Sequence, residues 1–225
     1  METLQRLVWY PLDHFPFIVI VLILAFAVHE FAHAYSAYKF GDLTAYRQGR
    51  VTLNPRVHLD VLGTILILIA GFGWAKPVPV NRGNFKSPRL MGIIVSVAGP
   101  LSNLLLALIG VALFAWVDAS DWIHGASEGV LEAIAVFLHY LITMNVLLFI
   151  FNLIPLPPLD GYRVIEDLAP QRVRIKMEQN VQWGMFVFLL VVFIPPLRAV
   201  TLDPLFSLSR PIISAMFSWF GISYG

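Results

Sequence analysis

The residues in this chain best suited to chemistry are His29-Glu30-Phe31-Ala32-His33. On an α-helix, positions i and i+4 lie on one face, about 6 Å apart along the axis, so two imidazoles can reach one ion. Zinc takes such a pair, and the glutamate between them can serve as general base for a water polarised by the ion. The chain has no cysteine, so disulfides and thiolate chemistry are excluded and any metal must be held by nitrogen and oxygen. Catalytic zinc generally has three protein ligands and an open position. Candidates for the third are His58, Asp60, Asp160, Glu166 and Asp167. Asp160 stands out for its setting, Asn152-Leu153-Ile154-Pro155-Leu156-Pro157-Pro158-Leu159-Asp160-Gly161. The prolines end a helix and remove backbone donors. Irregular backbone at the end of a membrane span is tolerated only inside protein or beside a wet cavity. The competing reading is a helix-terminating loop with a solvated aspartate.

The elements that position these residues follow from composition. The 225 residues are 58% hydrophobic and only 13% charged. A soluble domain carries about 25% charged residues, so most of this surface must face lipid. The net charge of +1 gives no sign of a nucleic acid partner. Spanning helices need about 20 apolar residues. Residues 15–38, 90–117 and 130–153 qualify, with 181–194 and 202–218 as shorter candidates. Residues 61–74 fit a re-entrant segment better. The expected fold is therefore an all-α polytopic membrane protein with five to six transmembrane segments, the re-entrant one included. A short β-hairpin is expected at 44–53, near the cytoplasmic face, and an amphipathic basic stretch at 163–180 along the inner surface. The first 14 residues do not read as a cleavable signal.

His29, Glu30 and His33 fall inside the first span. Ionisable groups there are expensive and are functional by default. The bland alternative is an interhelical hydrogen-bond cluster that only fixes packing. Lys39, Arg47, Arg50 and Arg56 precede residues 61–74, and Lys76, Arg82, Lys86 and Arg89 follow them. Re-entry keeps both groups on the cytoplasmic side, as the positive-inside rule prefers. Asp118, Asp121 and Glu128 mark an external loop, and Arg163, Arg172, Arg174 and Lys176 an internal one. Gly99-Pro100 and Gly110 read as sites of close helix contact, and Asn103 and Asn145 as packing residues between helices.

His-Glu-x-x-His in the first span, followed by Asn152-x-x-Pro155-x-Pro157-x-Leu159-Asp160-Gly161, resembles the site-2 protease family of intramembrane zinc metalloproteases. Asn54-Pro55 with His58 and Asp60, the run Gly73-Trp74-Ala75-Lys76-Pro77-Val78-Pro79-Val80-Asn81, and Ser96-Val97-Ala98-Gly99-Pro100 with Asn103 extend the match. The resemblance covers roughly residues 29 to 161. It implies one zinc ion per chain held by His29, His33 and Asp160, with Glu30 as general base. Asn152 would orient substrate or stabilise the oxyanion. It also implies a transmembrane protein or peptide substrate, and no stretch is long and polar enough for a PDZ or nucleotide-binding regulatory domain. Residues 1–225 form one intramembrane domain on this reading, with a catalytic core at about 15–162 and C-terminal helices at about 163–225. Arg50, Val51, Thr52 and Leu53 could receive an unwound substrate strand by edge pairing. The expected location is a prokaryotic plasma membrane, with the active site toward the cytoplasm. A divalent metal transporter or an inactive adaptor would use the same cluster. A transit site should be repeated along a path, however, and an adaptor should show a damaged motif.

Overall fold

The structure is a computed structural model that describes residues 11–63, 66 and 74–223. Helix α1 (Phe15–Lys39) has Pro16 in its first turn and carries His29, Glu30 and His33 on its buried side. It ends in a Schellman turn: Asp42 N–H donates to Ala37 O and Gly41 N–H to Tyr38 O, with Gly41 at φ 95°. A single helical turn, α2 (Thr44–Arg47), follows. Helices α3 (Pro88–Asp118) and α4 (Glu128–Asn152) form an antiparallel pair, and α1 packs against both. Short helices α5 (Asp160–Leu168) and α6 (Gln171–Gln179) lie beyond the end of α4. Then come α7 (Val181–Phe193), α8 (Pro195–Ser207) and α9 (Ser209–Ser218).

Close packing of apolar side chains makes up the three-helix centre. Ile18, Val21, Leu22 and Phe26 of α1 pack on Leu138, Leu141 and Met144 of α4. Ala107 and Val111 of α3 pack on Ile142, Val146 and Ile150 of α4, with Ile213, Met216 and Phe217 of α9 behind them. Two fully buried amides cross this core. Asn103 Nδ2 donates to Asn145 Oδ1 at 2.9 Å, and Asn145 Nδ2 donates to Leu141 O at 2.8 Å.

Two expectations are corrected. First, five to six transmembrane segments are not found. Among the described residues three helices are long and apolar enough to cross a membrane, or up to four if the bent run Val181–Phe193 plus Pro195–Ser218 counts as one. The reason is length: 13 residues rise about 20 Å, short of a hydrocarbon core of about 30 Å. At Ile194-Pro195-Pro196 the chain turns by 92° rather than continuing. The proposed re-entrant segment lies largely outside the described residues.

Second, the β-hairpin at 44–53 is absent, and no described residue is in a strand. Asp42 Oδ1 accepts from the Thr44 N–H and Asn84 Nδ2, and Asp42 Oδ2 accepts from the Asn81 N–H. The Thr44 bond starts a helical turn instead of an extended strand. Burial alone would raise the Asp42 pKa, but the bonds from Thr44, Asn81 and Asn84 hold it below its ordinary value, so it stays charged. Arg50 then turns inward: its guanidinium donates to Val57 O, Lys76 O and Pro77 O.

With α1, α3 and α4 as spans, residues 40–63, 74–87 and 153–180 share one side and 119–127 the other. Single cysteines at Lys86 and Gln171 should react with impermeant thiol reagents from the same side, and one at Ser127 from the opposite side. Labelling of 86 and 171 from different sides would refute the arrangement.

Candidate metal centre

His29 and His33 face α3 and the start of α5. His29 Nε2 is 3.0 Å from His33 Nε2 and 3.1 Å from Asp160 Oδ2, and His33 Nε2 is 3.3 Å from the same oxygen. A tetrahedral ion bonded at about 2.0–2.1 Å sets its ligand atoms about 3.3 Å apart, so the spacing suits zinc.

The protonation pattern suits it too. His29 Nδ1 lies 2.7 Å from Asn103 Oδ1. The amide orientation of Asn103 is fixed, because its Nδ2 faces Ala25 O at 3.3 Å and Asn145 Oδ1 at 2.9 Å. His29 Nδ1 must therefore donate. His33 Nδ1 likewise donates to Val95 O at 2.7 Å. In the neutral imidazoles both Nε2 atoms are then bare acceptors, turned toward each other and toward a carboxylate. Three bare acceptors this close repel unless a cation or a proton sits among them. Gly99 lets α3 approach: a Cβ there would fall 2.3 Å from His33 Nε2 and 2.7 Å from His29 Cε1.

The remaining third-ligand candidates are engaged elsewhere. His58 is buried and its Nε2 donates to Thr52 O at 2.8 Å; burial, with Arg50 nearby, lowers its pKa and keeps it neutral. Asp60 accepts from the Gly63 N–H, and Glu166 and Asp167 pair with Arg82. Among the described residues, His29, His33 and Asp160 are the one group of three such side chains able to hold a metal ion.

These residues form part of the wall of a cavity of about 1030 Å³ that Glu30, Asn152 and Arg82 also line. Glu30 Oε2 accepts from the Val78 N–H at 2.8 Å. Asn152 Nδ2 donates to Leu148 O at 3.0 Å, which leaves its second N–H for another partner. Arg50, Val51, Thr52 and Leu53 do not line the cavity; Arg50 braces segment 74–80, which does.

Sequence reasoning missed the orienting role of Asn103 and the Val78 contact. Signals for both existed: an amide inside a span, and Pro77-Val78-Pro79, in which Val78 carries the one backbone donor.

A model of Peptidase family M50 matches residues 117–194. The Bacillus subtilis protein named "Putative zinc metalloprotease YwhC" is 52% identical over 217 residues, 96% of this chain and 97% of the relative. The chain belongs to peptidase family M50. Proteins named "Putative zinc metalloprotease Rip2" are more distant. That of Mycobacterium tuberculosis is 31% identical over 201 residues, 87% of this chain and 72% of the relative. That of Mycolicibacterium smegmatis is 28% identical over 200 residues, 84% and 72% respectively. No solved structure matches the chain. This M50 peptidase is a zinc metalloendopeptidase and a multi-pass membrane protein, acting on protein substrates.

Asn103→Leu should free the His29 ring and weaken zinc retention by about 10–100-fold, as loss of an outer-shell partner does. Chelator competition would measure it. Wild-type retention would mean that His29 is oriented by something else.

Proposed function

We propose that this M50 peptidase cuts peptide bonds in or beside the transmembrane segments of its substrates, holding one zinc ion per chain on His29, His33 and Asp160. The observation that carries this reading is the convergence of three bare ligand atoms on the wall of a large cavity within a membrane bundle. When bound, zinc supplies Lewis acidity, polarising the scissile carbonyl and easing deprotonation of water.

The chain's own residues do the rest. Glu30 is the general base. The Val78 N–H fixes one carboxylate oxygen, and the other takes a proton from the attacking water and later delivers it to the leaving amine. The second N–H of Asn152 orients the scissile carbonyl or stabilises its developing charge. His29, His33 and Asp160 keep their ligand atoms aimed at one point.

The location also follows from charge and depth. His33 lies six residues before Lys39, or about 9 Å along α1. Lys39, Arg47, Arg50 and Arg56 begin the loop on that side, and residues 119–127 contain no Lys or Arg. These features support an active site toward the cytoplasm of a prokaryotic plasma membrane. The catalytic core runs over about 15–162, within a single domain of 1–225.

The deciding experiment compares zinc content with proteolysis of transmembrane reporters. Glu30→Gln should retain zinc and lower kcat by at least about 100-fold, the lower end of a general base's contribution. His29→Ala, His33→Ala and Asp160→Ala should each lose zinc. Full zinc and full activity in Asp160→Ala would defeat the ligand assignment.

Substrate choice follows from backbone chemistry. A helical substrate presents no free peptide carbonyls, so it must unwind before it is cut. Replacing Gly or Pro near the cytoplasmic third of a reporter's span by Leu should slow its cleavage, because Gly weakens a helix by about 1 kcal/mol. Equal rates for both reporters, measured by mass spectrometry of the products, would contradict this requirement.

A further inference from the structure

We propose that Arg82 is a positioning residue for the metal centre, fixing the rotation of α5 and hence the place of the Asp160 carboxylate between His29 and His33. This inference rests on the reading of Asp160 as a ligand.

Arg82 stands in the turn that follows segment 74–80 and lines the cavity. Its Nη1 is 2.7 Å from Glu166 Oε2 and its Nη2 is 3.1 Å from Asp167 Oδ2, both on α5. The Asp167 side chain is wholly buried. Of its other cations, Arg163 acts from beyond ion-pair distance, and Arg174 is at 3.8 Å and is engaged by Glu178 at 3.0 Å. Arg82 is therefore the near countercharge, and removing it would leave a buried carboxylate poorly compensated. On the opposite side Asp167 meets the backbone of α3: a Cβ on Gly92 would fall 2.4 Å from Asp167 Oδ2 and 3.3 Å from Arg82 Nε. The carboxylate is held between a helix backbone and a guanidinium, which leaves α5 little freedom to turn.

That restraint acts on Asp160 through helix geometry. Asp160 and Asp167 are seven residues apart, about two turns, and lie on nearly the same face of α5. Any rotation that carries Asp167 off Arg82 swings Asp160 off the histidines by the same angle. The same guanidinium also anchors the chain just beyond Val78, whose N–H holds Glu30. One side chain thus sets the register between the helix bearing the carboxylate ligand and the segment bearing the base's partner. An arginine suits this task, because its planar fork can engage two carboxylates at once where an ammonium is a single point charge.

The alternative is that Arg82 only neutralises Asp167 and stabilises the fold. The full-length protein in detergent separates the two, using zinc affinity by chelator competition, the visible spectrum of the Co2+-loaded protein, and Tm. Arg82→Ala should lower zinc affinity about tenfold or more and change the Co2+ bands. Arg82→Lys should recover part of that loss, and Arg174→Ala should leave affinity at the wild-type level. Wild-type affinity and Co2+ bands in Arg82→Ala, even with a lowered Tm, would overturn the proposal. Should Arg82→Ala fail to fold, Arg82→Lys and Glu166→Gln decide instead: reduced affinity in both supports it, and wild-type affinity in both overturns it. Asp160→Ala tests the underlying reading. If that variant loses zinc while the Arg82 variants keep it, only the positioning role falls. If it keeps wild-type affinity, the ligand assignment falls and this inference with it.

Discussion

The candidate metal centre depends on where the two imidazoles place their Nδ1 protons. Each is bound to an oxygen of α3, Asn103 Oδ1 for His29 and Val95 O for His33. Only then do both Nε2 atoms point bare toward Asp160. Elsewhere water could satisfy a rotated ring, but in this core a buried polar atom left without a partner costs about 1–3 kcal/mol. The rest of the bundle serves this contact. Gly99 removes the side chain that would hold α3 away, and the Asn103–Asn145 bond ties α3 to α4 at the same depth. Helices in lipid have no hydrophobic drive toward one another, so small residues and shared hydrogen bonds must fix their approach. The devices that pack these helices also choose the tautomer of a histidine.

A second set of constraints controls segment 74–84, which is irregular and yet borders the site. Arg50 binds the carbonyls of Lys76 and Pro77, Glu30 binds the Val78 N–H, and Asp42 binds the Asn81 N–H and the Asn84 side chain. Pro77 and Pro79 have no N–H to satisfy. Segment 76–79 thus uses up its donors within the protein: the Lys76 N–H goes to His58 O and the Val78 N–H to Glu30. Three ionised or ionisable side chains do work that a sheet would otherwise do by strand pairing, which is why no strand is needed to hold this edge of the cavity.

The sequence made some of this legible and hid the rest for physical reasons. His29 and His33 could be paired because helical spacing is a local signal, whereas Asp160 was one of five candidates among which only the family resemblance decided, and the role of all three as ligands stays a proposal. The three long spans could be read because about 20 apolar residues leave few alternatives. Segment 44–53 misled because its alternation was weak and Asp42, two residues before Thr44, decided the local conformation by accepting from the Thr44 N–H. Hydropathy also suggested separate spans at 181–194 and 202–218, but it does not register that Pro195-Pro196 turns the chain through 92°. Asn103 read as a packing residue, and it is one. That it also orients His29 depends on a contact 74 residues away in the chain, which no local pattern reports.

The lining of the cavity restricts how a substrate can meet this centre under the proposed function. The stretch of substrate to be cut must reach Glu30 and Asp160 on its wall. That stretch meets Val192, Phe193, Leu202 and Phe206 on the side of α7 and α8, and Glu30, Asn152 and Asp160 on the other. The apolar wall can take substrate side chains as lipid would. The polar wall rewards free carbonyl and amide groups, which a helix does not expose. Local unwinding is thus favoured where the two walls face each other and is costly in the lipid outside. Under the proposed function the site selects an extended backbone, and no described residue offers a strand to pair with it.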